Sequence, residues 1–200
     1  MKVLAFSDLH RDNDAARALV TASAEADVVI GAGDFATKRI GARDTLDILA
    51  HCRVPVILTH GNHDDPDEVQ LICARSSNLH YLHGTGMTVG GISFFGLGGE
   101  IPSRNTFSWN AAETEEHATR MLVKCPPDVV LVTHTPPHGV ADLQKNGNHE
   151  GSDAISKAVQ SFEPKILFCG HIHHAWGSSG QMGKTAVYNL GPTINWFEVN

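Results

Sequence analysis

The 200-residue sequence predicts a single layered α/β domain, and three observations carry that expectation. Short β-rich runs alternate with helical patterns along most of the chain. A Gly90-Gly91 pair between two apolar runs reads as a hairpin, so antiparallel strands join the parallel ones and the sheet is mixed. No internal repeat, low-complexity tract or Pro/Ser-rich linker divides the chain, whose length suits one substantial core and not two.

Taken in order, residues 3–6 read as a first strand, and 12–26 as an Ala-rich helix burying Leu19 and Val20. A buried strand at 28–30, a helix at 45–52 and a strand at 54–58 come next. The helix expected at 66–75 starts on Pro66, which suits a first turn because its missing N–H has no helical partner there. The hairpin occupies 87–89 and 92–95, and then come a helix at 109–123, a strand at 129–132, a helix at 153–162 and a strand at 166–169. The chain finishes in strands at 185–188 and 195–199.

Composition sets further bounds. Hydrophobic residues make up 42% of the chain, and the formal net charge is -7. An acidic balance argues against long nucleic acid as a partner, because such binding relies on Lys and Arg displacing counterions. Four scattered cysteines, Cys52, Cys73, Cys125 and Cys169, form no CxxC pair, so reduced buried thiols are expected instead of a zinc knuckle or disulfide framework. No signal-peptide core precedes Asp8, and no run of about 18 apolar residues occurs, so a cytoplasmic protein is expected. Oligomeric state is not legible.

The informative pattern lies in the residues just after each strand. The first strand runs into Asp8 and His10, the second into Gly33-Asp34, and the third into His60-Gly61-Asn62-His63-Asp64. The strands at 129–132 and 166–169 run into His134 and into Gly170-His171-Ile172-His173. Ligand sites of open α/β sheets gather at the carboxyl ends of strands, so five such loops can converge on one crevice. Residues at i and i+2 of an extended segment point the same way, letting Asp8 with His10, and His171 with His173, each offer two ligands to one side. Glycines before Asp34, Asn62 and His171 allow close main-chain approach. Imidazoles mixed with carboxylate and amide oxygens suit Mn, Fe, Zn, Co or Ni better than Mg or Ca. Any one block alone is ordinary, since a lone strand-end His is commonly a cap or a surface residue; the ordered set is not.

Asp-x-His, Gly-Asp, Gly-Asn-His-Asp, a later His and Gly-His-x-His, in this order from Asp8 to His173, resemble the calcineurin-like metallophosphoesterases. The segments Thr133-His134-Thr135-Pro136-Pro137 and His149-Glu150-Gly151-Ser152 are similar to its small branch of metallophosphoesterase-domain proteins. The resemblance implies a four-layered α-β-β-α sandwich of two mixed sheets flanked by helices. It also implies two divalent transition-metal ions, one held by Asp8, His10, Asp34 and His173, the other by Asp34, Asn62, His134 and His171, with Asp34 shared. His63 matches the family's histidine that donates a proton to the leaving oxygen, as an imidazolium. Asp64 could orient His63 or cap the turn before Pro66, and the cap is the preferred assignment.

The expected activity is hydrolysis of a small phosphate diester. Metals about 3.5–4 Å apart clamp phosphoryl oxygens and lower the pKa of a bridging water from roughly 15.7 toward about 7, supplying hydroxide. A diester is preferred because no Arg or Lys lies within the metal motifs to neutralise a dianionic monoester. The alternatives are a phosphomonoesterase or protein phosphatase of this fold, and a non-catalytic metal-binding scaffold. His138, His149 and Arg104 are candidate substrate contacts, with surface or capping roles as the plainer reading. Trp109, Trp176 and Trp196 read as core or loop anchors, Gly98-Gly99 as a turn. The near-P-loop at residues 178–185 is rejected, because β-prone sequence stands where a helix is needed.

Overall fold

The computed structural model describes residues 1–200. Its strands are β1 (Lys2–Phe6), β2 (Val28–Gly31), β3 (Val56–Leu58), β4 (Leu79–Tyr81), β5 (Thr85–Val89), β6 (Ile92–Leu97), β7 (Val130–Thr133), β8 (Ile166–Cys169), β9 (Ser179–Met182), β10 (Thr185–Asn189) and β11 (Asn195–Glu198). The helices are α1 (Asn13–Ala22), α2 (Ala42–Leu49), α3 (Pro66–Cys73), α4 (Glu115–Leu122) and α5 (Asp153–Phe162).

The strands form two sheets, one ordered β11-β1-β2-β3-β4 and the other β5-β6-β7-β8-β10-β9. Both are mixed: β1 to β4 are parallel with β11 antiparallel at one edge, and β6, β7, β8 and β10 are parallel with β5 and β9 antiparallel outside them. Alternation along each strand explains the four layers, because successive side chains leave opposite faces. Leu4 and Phe6 of β1 join Val29 in a core against α1 to α3, whereas Val3 and Ala5 join Val28 and Ile30 in a core between the sheets. From the other side, Val130 and Val132 face that central core while Val129 and Leu131 pack under α4 and α5. Strands buried on both faces carry apolar residues at every position, which is why the sequence shows runs instead of alternation.

Several boundaries differ from expectation for identifiable reasons. Helix α2 begins at Ala42, earlier than residue 45, because Gly41 at φ 90° provides the turn into it. Helix α4 begins at Glu115, not 109, where the Thr114 hydroxyl accepts the His117 N–H; residues 109–112 are tied elsewhere, with Ala111 N donating to Asn62 O at 2.9 Å. Strands β4 and β9 were not anticipated: β4 has three residues, and β9 is a polar, mostly exposed edge. Residues 178–185 fold as β9 and its turn into β10, consistent with rejecting a nucleotide loop there. All four cysteines are free and buried. No helix is long and apolar enough to cross a membrane.

Candidate metal centre

Five parallel strands, three in one sheet and two in the other, deliver the motif residues at their carboxyl ends, where the sheets meet. Backbone bonds stitch the loops together. Asp8 N donates to Gly33 O at 2.9 Å and His10 N to Asp34 O at 2.8 Å, while Gly170 N donates to His134 O at 2.9 Å. His171 N crosses between the sheets to Asp8 Oδ1 at 3.2 Å. The convergence is strained: Asp8, His10, Asp34 and His171 have left-handed φ values of 56°, 45°, 58° and 68°. For non-glycine residues such conformations persist where surrounding structure holds them, and they concentrate at functional sites. Two glycines permit the approach. A Cβ on Gly61 would lie 2.1 Å from Asp34 Oδ1, and one on Gly170 would lie 2.4 Å from Asp8 Oδ2.

Ligand atoms of Asp8, His10, Asp34 and His173 lie within 4.8 Å of one another. His10 Nδ1 donates to Ala36 O at 3.2 Å and His134 Nδ1 to Ala32 O at 2.8 Å. Those bonds fix the tautomers and leave the Nε2 lone pairs pointing inward, 3.4 Å and 3.6 Å from the same atom, Asp34 Oδ2. On the far side, Asn62 Oδ1 stands 3.1 Å from His134 Nε2 and 3.0 Å from His171 Nδ1.

Electrostatics agree with this reading. Burial, followed by the charge of His171, draws His134 down to about 3, and burial also lowers His10, so both rings are neutral with free lone pairs at pH 7. Burial, then the Asp64 and Asp8 carboxylates, pushes Asp34 well above the usual carboxylate range. Burial opposes ionisation of Asp8 as well, but hydrogen bonds from His173 and Ser7 and the field of His134 outweigh it and hold Asp8 below that range. The His134 Nε2 lone pair against Asn62 Oδ1 is acceptor against acceptor, a contact that repels unless a cation lies between, and Asp34, raised by burial among carboxylates, is a group that a cation would return to its ionised form. The residues therefore fit metal ions, and the mixed nitrogen and oxygen donors suit a divalent transition metal.

A family model described as calcineurin-like phosphoesterase matches residues 1–175. The chain belongs to the calcineurin-like phosphoesterase family. An uncharacterised protein of Methanocaldococcus jannaschii is 28% identical over 203 residues, covering 96% of this chain and 88% of that one. Among solved structures, TT1561 of Thermus thermophilus superposes with a TM-score of 0.76 at 19% identity, over 100% of this chain and 99% of the other. A dimetal phosphatase from Danio rerio superposes with a TM-score of 0.60 at 15% identity, over 96% and 88% of the two chains. At such identities the structures share the fold, which is the two-sheet sandwich expected for calcineurin-like phosphoesterases.

All seven expected metal ligands of this calcineurin-like phosphoesterase thus lie together. His63 lies beside them: its N–H donates to Asp34 Oδ1 at 2.7 Å, and its ring packs 4.8 Å from that of His10 and 4.5 Å from that of Trp109. Its protonation differs from the expected imidazolium. Lys38 N donates to His63 Nδ1 at 3.1 Å, so the ring proton sits on Nε2, and burial followed by the charge of His10 lowers the group to about 4.

Asp64 makes no hydrogen bond to His63; its carboxylate caps its own turn by accepting Gly61 N–H and also accepts the N–H groups of Asp34 and Ala36, each at 2.8 Å, which clamps two loops of the site. The cap of α3 is Asp65, one residue later, which accepts from Asp67 N and Glu68 N. His60 is also outside the centre, bonded through Nδ1 to the Tyr81 hydroxyl at 2.7 Å. Arg104 braces loops by donating to Pro102 O and Gly151 O. His149 donates to the buried Asp142 at 2.5 Å, and His138 stacks edge-on near it at 5.8 Å.

Four participants escaped the sequence reading. Ser7 Oγ and Trp176 Nε1 (3.1 Å) both donate to Asp8 Oδ2. Lys38, exposed, places its ammonium 5.9 Å from the Trp109 ring beside His63, so a cation does reach the rim although none lies within the motifs themselves. Glu100 is 4% exposed, 3.6 Å from His171 Nε2, and reaches Asn110 Nδ2 at 2.6 Å. Burial would raise it, but the bonds to His171 and Asn110 prevail and draw it down to about 2. A signal existed for Glu100: it stands after β6 and Gly98-Gly99, another strand end, overlooked because β6 was expected to stop at residue 95 and in fact reaches Leu97.

Proposed function

We propose that the chain is a dinuclear-metal phosphoesterase acting on small phosphate diesters. The observation supporting this most directly is the placement of Asp34 Oδ2, which two inward Nε2 lone pairs, His10 at 3.4 Å and His134 at 3.6 Å, approach at once. One cation would be held by Asp8, His10, Asp34 and His173, and another by Asp34, Asn62, His134 and His171, drawn from Mn, Fe, Zn, Co or Ni. When bound, such a pair supplies a nucleophilic hydroxide at neutral pH and neutralises charge on phosphoryl oxygens.

The chain's own residues would do the remainder. Asp64 fixes the loops that carry Asp34 and Asn62 through its three backbone bonds. His63, with Nδ1 occupied by the Lys38 amide, presents its Nε2–H on the opposite edge of the ring. In that form it donates a hydrogen bond to the leaving oxygen as the P–O bond breaks, and Trp109 against its ring keeps water from that side.

Charge balance favours a diester. Two divalent ions contribute +4 and four buried carboxylates, Asp8, Asp34, Asp64 and Glu100, contribute -4 when ionised, leaving 0. A site near neutrality gains less from a dianion than one with surplus positive charge, so a monoanionic diester suits it better. A monoester reading is favoured by one observation, the Lys38 ammonium at the rim.

The test is hydrolysis of bis(p-nitrophenyl) phosphate and of p-nitrophenyl phosphate by protein reconstituted with each of the five metals. Metal-dependent turnover with a higher kcat/KM for the diester supports the proposal. Higher kcat/KM for the monoester would reassign the substrate class, and no turnover of either ester with any metal would leave a binding scaffold.

A further inference from the structure

The buried Glu100 carboxylate stands outside the expected ligand set, yet two of its contacts, to His171 and to Asn110, lead toward one half of the site. Oε1 faces His171 Nε2 at 3.6 Å. Oε2 receives Asn110 Nδ2 at 2.6 Å, Arg104 N at 3.2 Å and Asn105 Nδ2 at 3.5 Å. Asn110 Oδ1 in turn accepts Asn62 Nδ2 at 2.9 Å. Direction along this chain is dictated at its origin. Oε2 already accepts the Arg104 backbone N–H, which can only donate, so Asn110 must turn its amide N–H₂ toward that oxygen and its own oxygen toward Asn62. Asn62 must then turn its own N–H₂ to Asn110, and its oxygen is left facing His134 and His171. On the other branch, Glu100 beside Nε2 of His171 favours the proton on Nε2 and the lone pair on Nδ1, the atom that faces Asn62 Oδ1.

We infer that Glu100, acting through Asn110 and His171, is the positioning residue that sets the polarity of the Asn62/His134/His171 metal site. The inference rests on the two-cation reading. Its loss would not merely loosen a loop. With Gln at 100, the amide oxygen keeps the place that Arg104 N requires, and the N–H₂ replaces Oε1 beside His171 Nε2; a donor there favours the lone pair on Nε2 and the proton on Nδ1, the atom that must face the cation. The other site has separate support, since Ser7 and Trp176 hold Asp8 and Ala36 O holds His10. Outer partners of this kind are worth about 10–100-fold in metal affinity.

The experiment titrates metal-free wild-type, E100Q and N110A proteins with Mn²⁺ by calorimetry, with electron paramagnetic resonance of the loaded samples and thermal melts of the metal-free ones. The wild type should take two ions and show the broadened signal of a coupled pair. E100Q should lose about 10–100-fold in one binding step with the other unchanged, giving the six-line spectrum of an isolated ion. N110A, which cuts one branch and leaves the Glu100 to His171 contact, should lose less. Two wild-type steps that persist unaltered in E100Q overturn the inference alone, as does equal weakening of both steps with a lowered melting temperature, the mark of a general structural role. A wild-type protein that takes a single ion overturns the two-cation reading itself.

Discussion

Gly61→Ala tests whether close approach of two ligand loops sets the position of Asp34. The added Cβ would lie 2.1 Å from Asp34 Oδ1 and 2.4 Å from Asp34 N, against 3.4 Å for ordinary contact, a deficit of 3.4 - 2.1 = 1.3 Å for the carboxylate. Rotation of the Asp34 side chain relieves the first clash but not the second, which is with backbone. The loop carrying Asp34 must therefore shift, although its amide is held by Asp64 and its carboxylate by His63 N. A misplacement of about 1 Å at a reacting centre can cost about 10²-fold in rate. Overpacking costs about 1–3 kcal/mol, which leaves a domain of typical stability, about 5–15 kcal/mol, folded. The assay is kcat/KM for bis(p-nitrophenyl) phosphate at saturating Mn²⁺, alongside a thermal melt. The expectation is a folded protein with kcat/KM reduced about 10²-fold or more; a folded variant with wild-type kcat/KM would refute the reasoning.

The same geometry sets three further outcomes. His63→Ala should still bind two metals but lose about 10²–10³-fold in kcat on esters with poor leaving groups, as expected for one donor to a developing oxyanion, and less on p-nitrophenyl esters; equal losses on both would remove His63 from leaving-group stabilisation. Asp64→Asn supplies one acceptor oxygen where three N–H groups converge, so at least one buried donor loses its partner and the melt should report about 1–3 kcal/mol of destabilisation; an unchanged melt would show that the clamp contributes nothing. His134 titrates near 3 in the fold against about 6.5 unfolded. The unfolded chain takes the proton first, so stability from this group is complete above about 6.5 and is lost as pH falls from there toward 3. In the metal-free protein its imidazole NMR signals should be those of a neutral ring at pH 5, and a midpoint near 6.5 would contradict the assigned burial.

Legibility in the sequence was uneven, and the physical reasons differ from place to place. The convergence of the candidate ligands was legible because each sits at the end of a strand apolar enough to recognise, and loop position tracks strand position. Topology was partly legible: a run such as 129–132 announces a buried strand, but nothing in it says that Val129 and Val130 belong to different cores in a four-layered sandwich. Strand β9, polar and at a sheet edge, buries too little to leave a pattern. For Asp64 only the local turn was legible, because its other partners at Asp34 and Ala36 lie 30 and 28 residues away. Lys38 and Trp176 were missed for the same reason, since what they touch is set by loop packing between distant segments. His63 was recognised, but its protonation depends on an amide at Lys38 that only the folded chain brings to Nδ1.

The most direct measurement is anomalous diffraction at the manganese edge from crystals of the full chain grown in Mn²⁺. Two peaks are expected, one ringed by Asp8, His10, Asp34 and His173, the other by Asp34, Asn62, His134 and His171, with the Asp34 carboxylate touching both. A single peak, or a pair that does not share Asp34, would contradict the account.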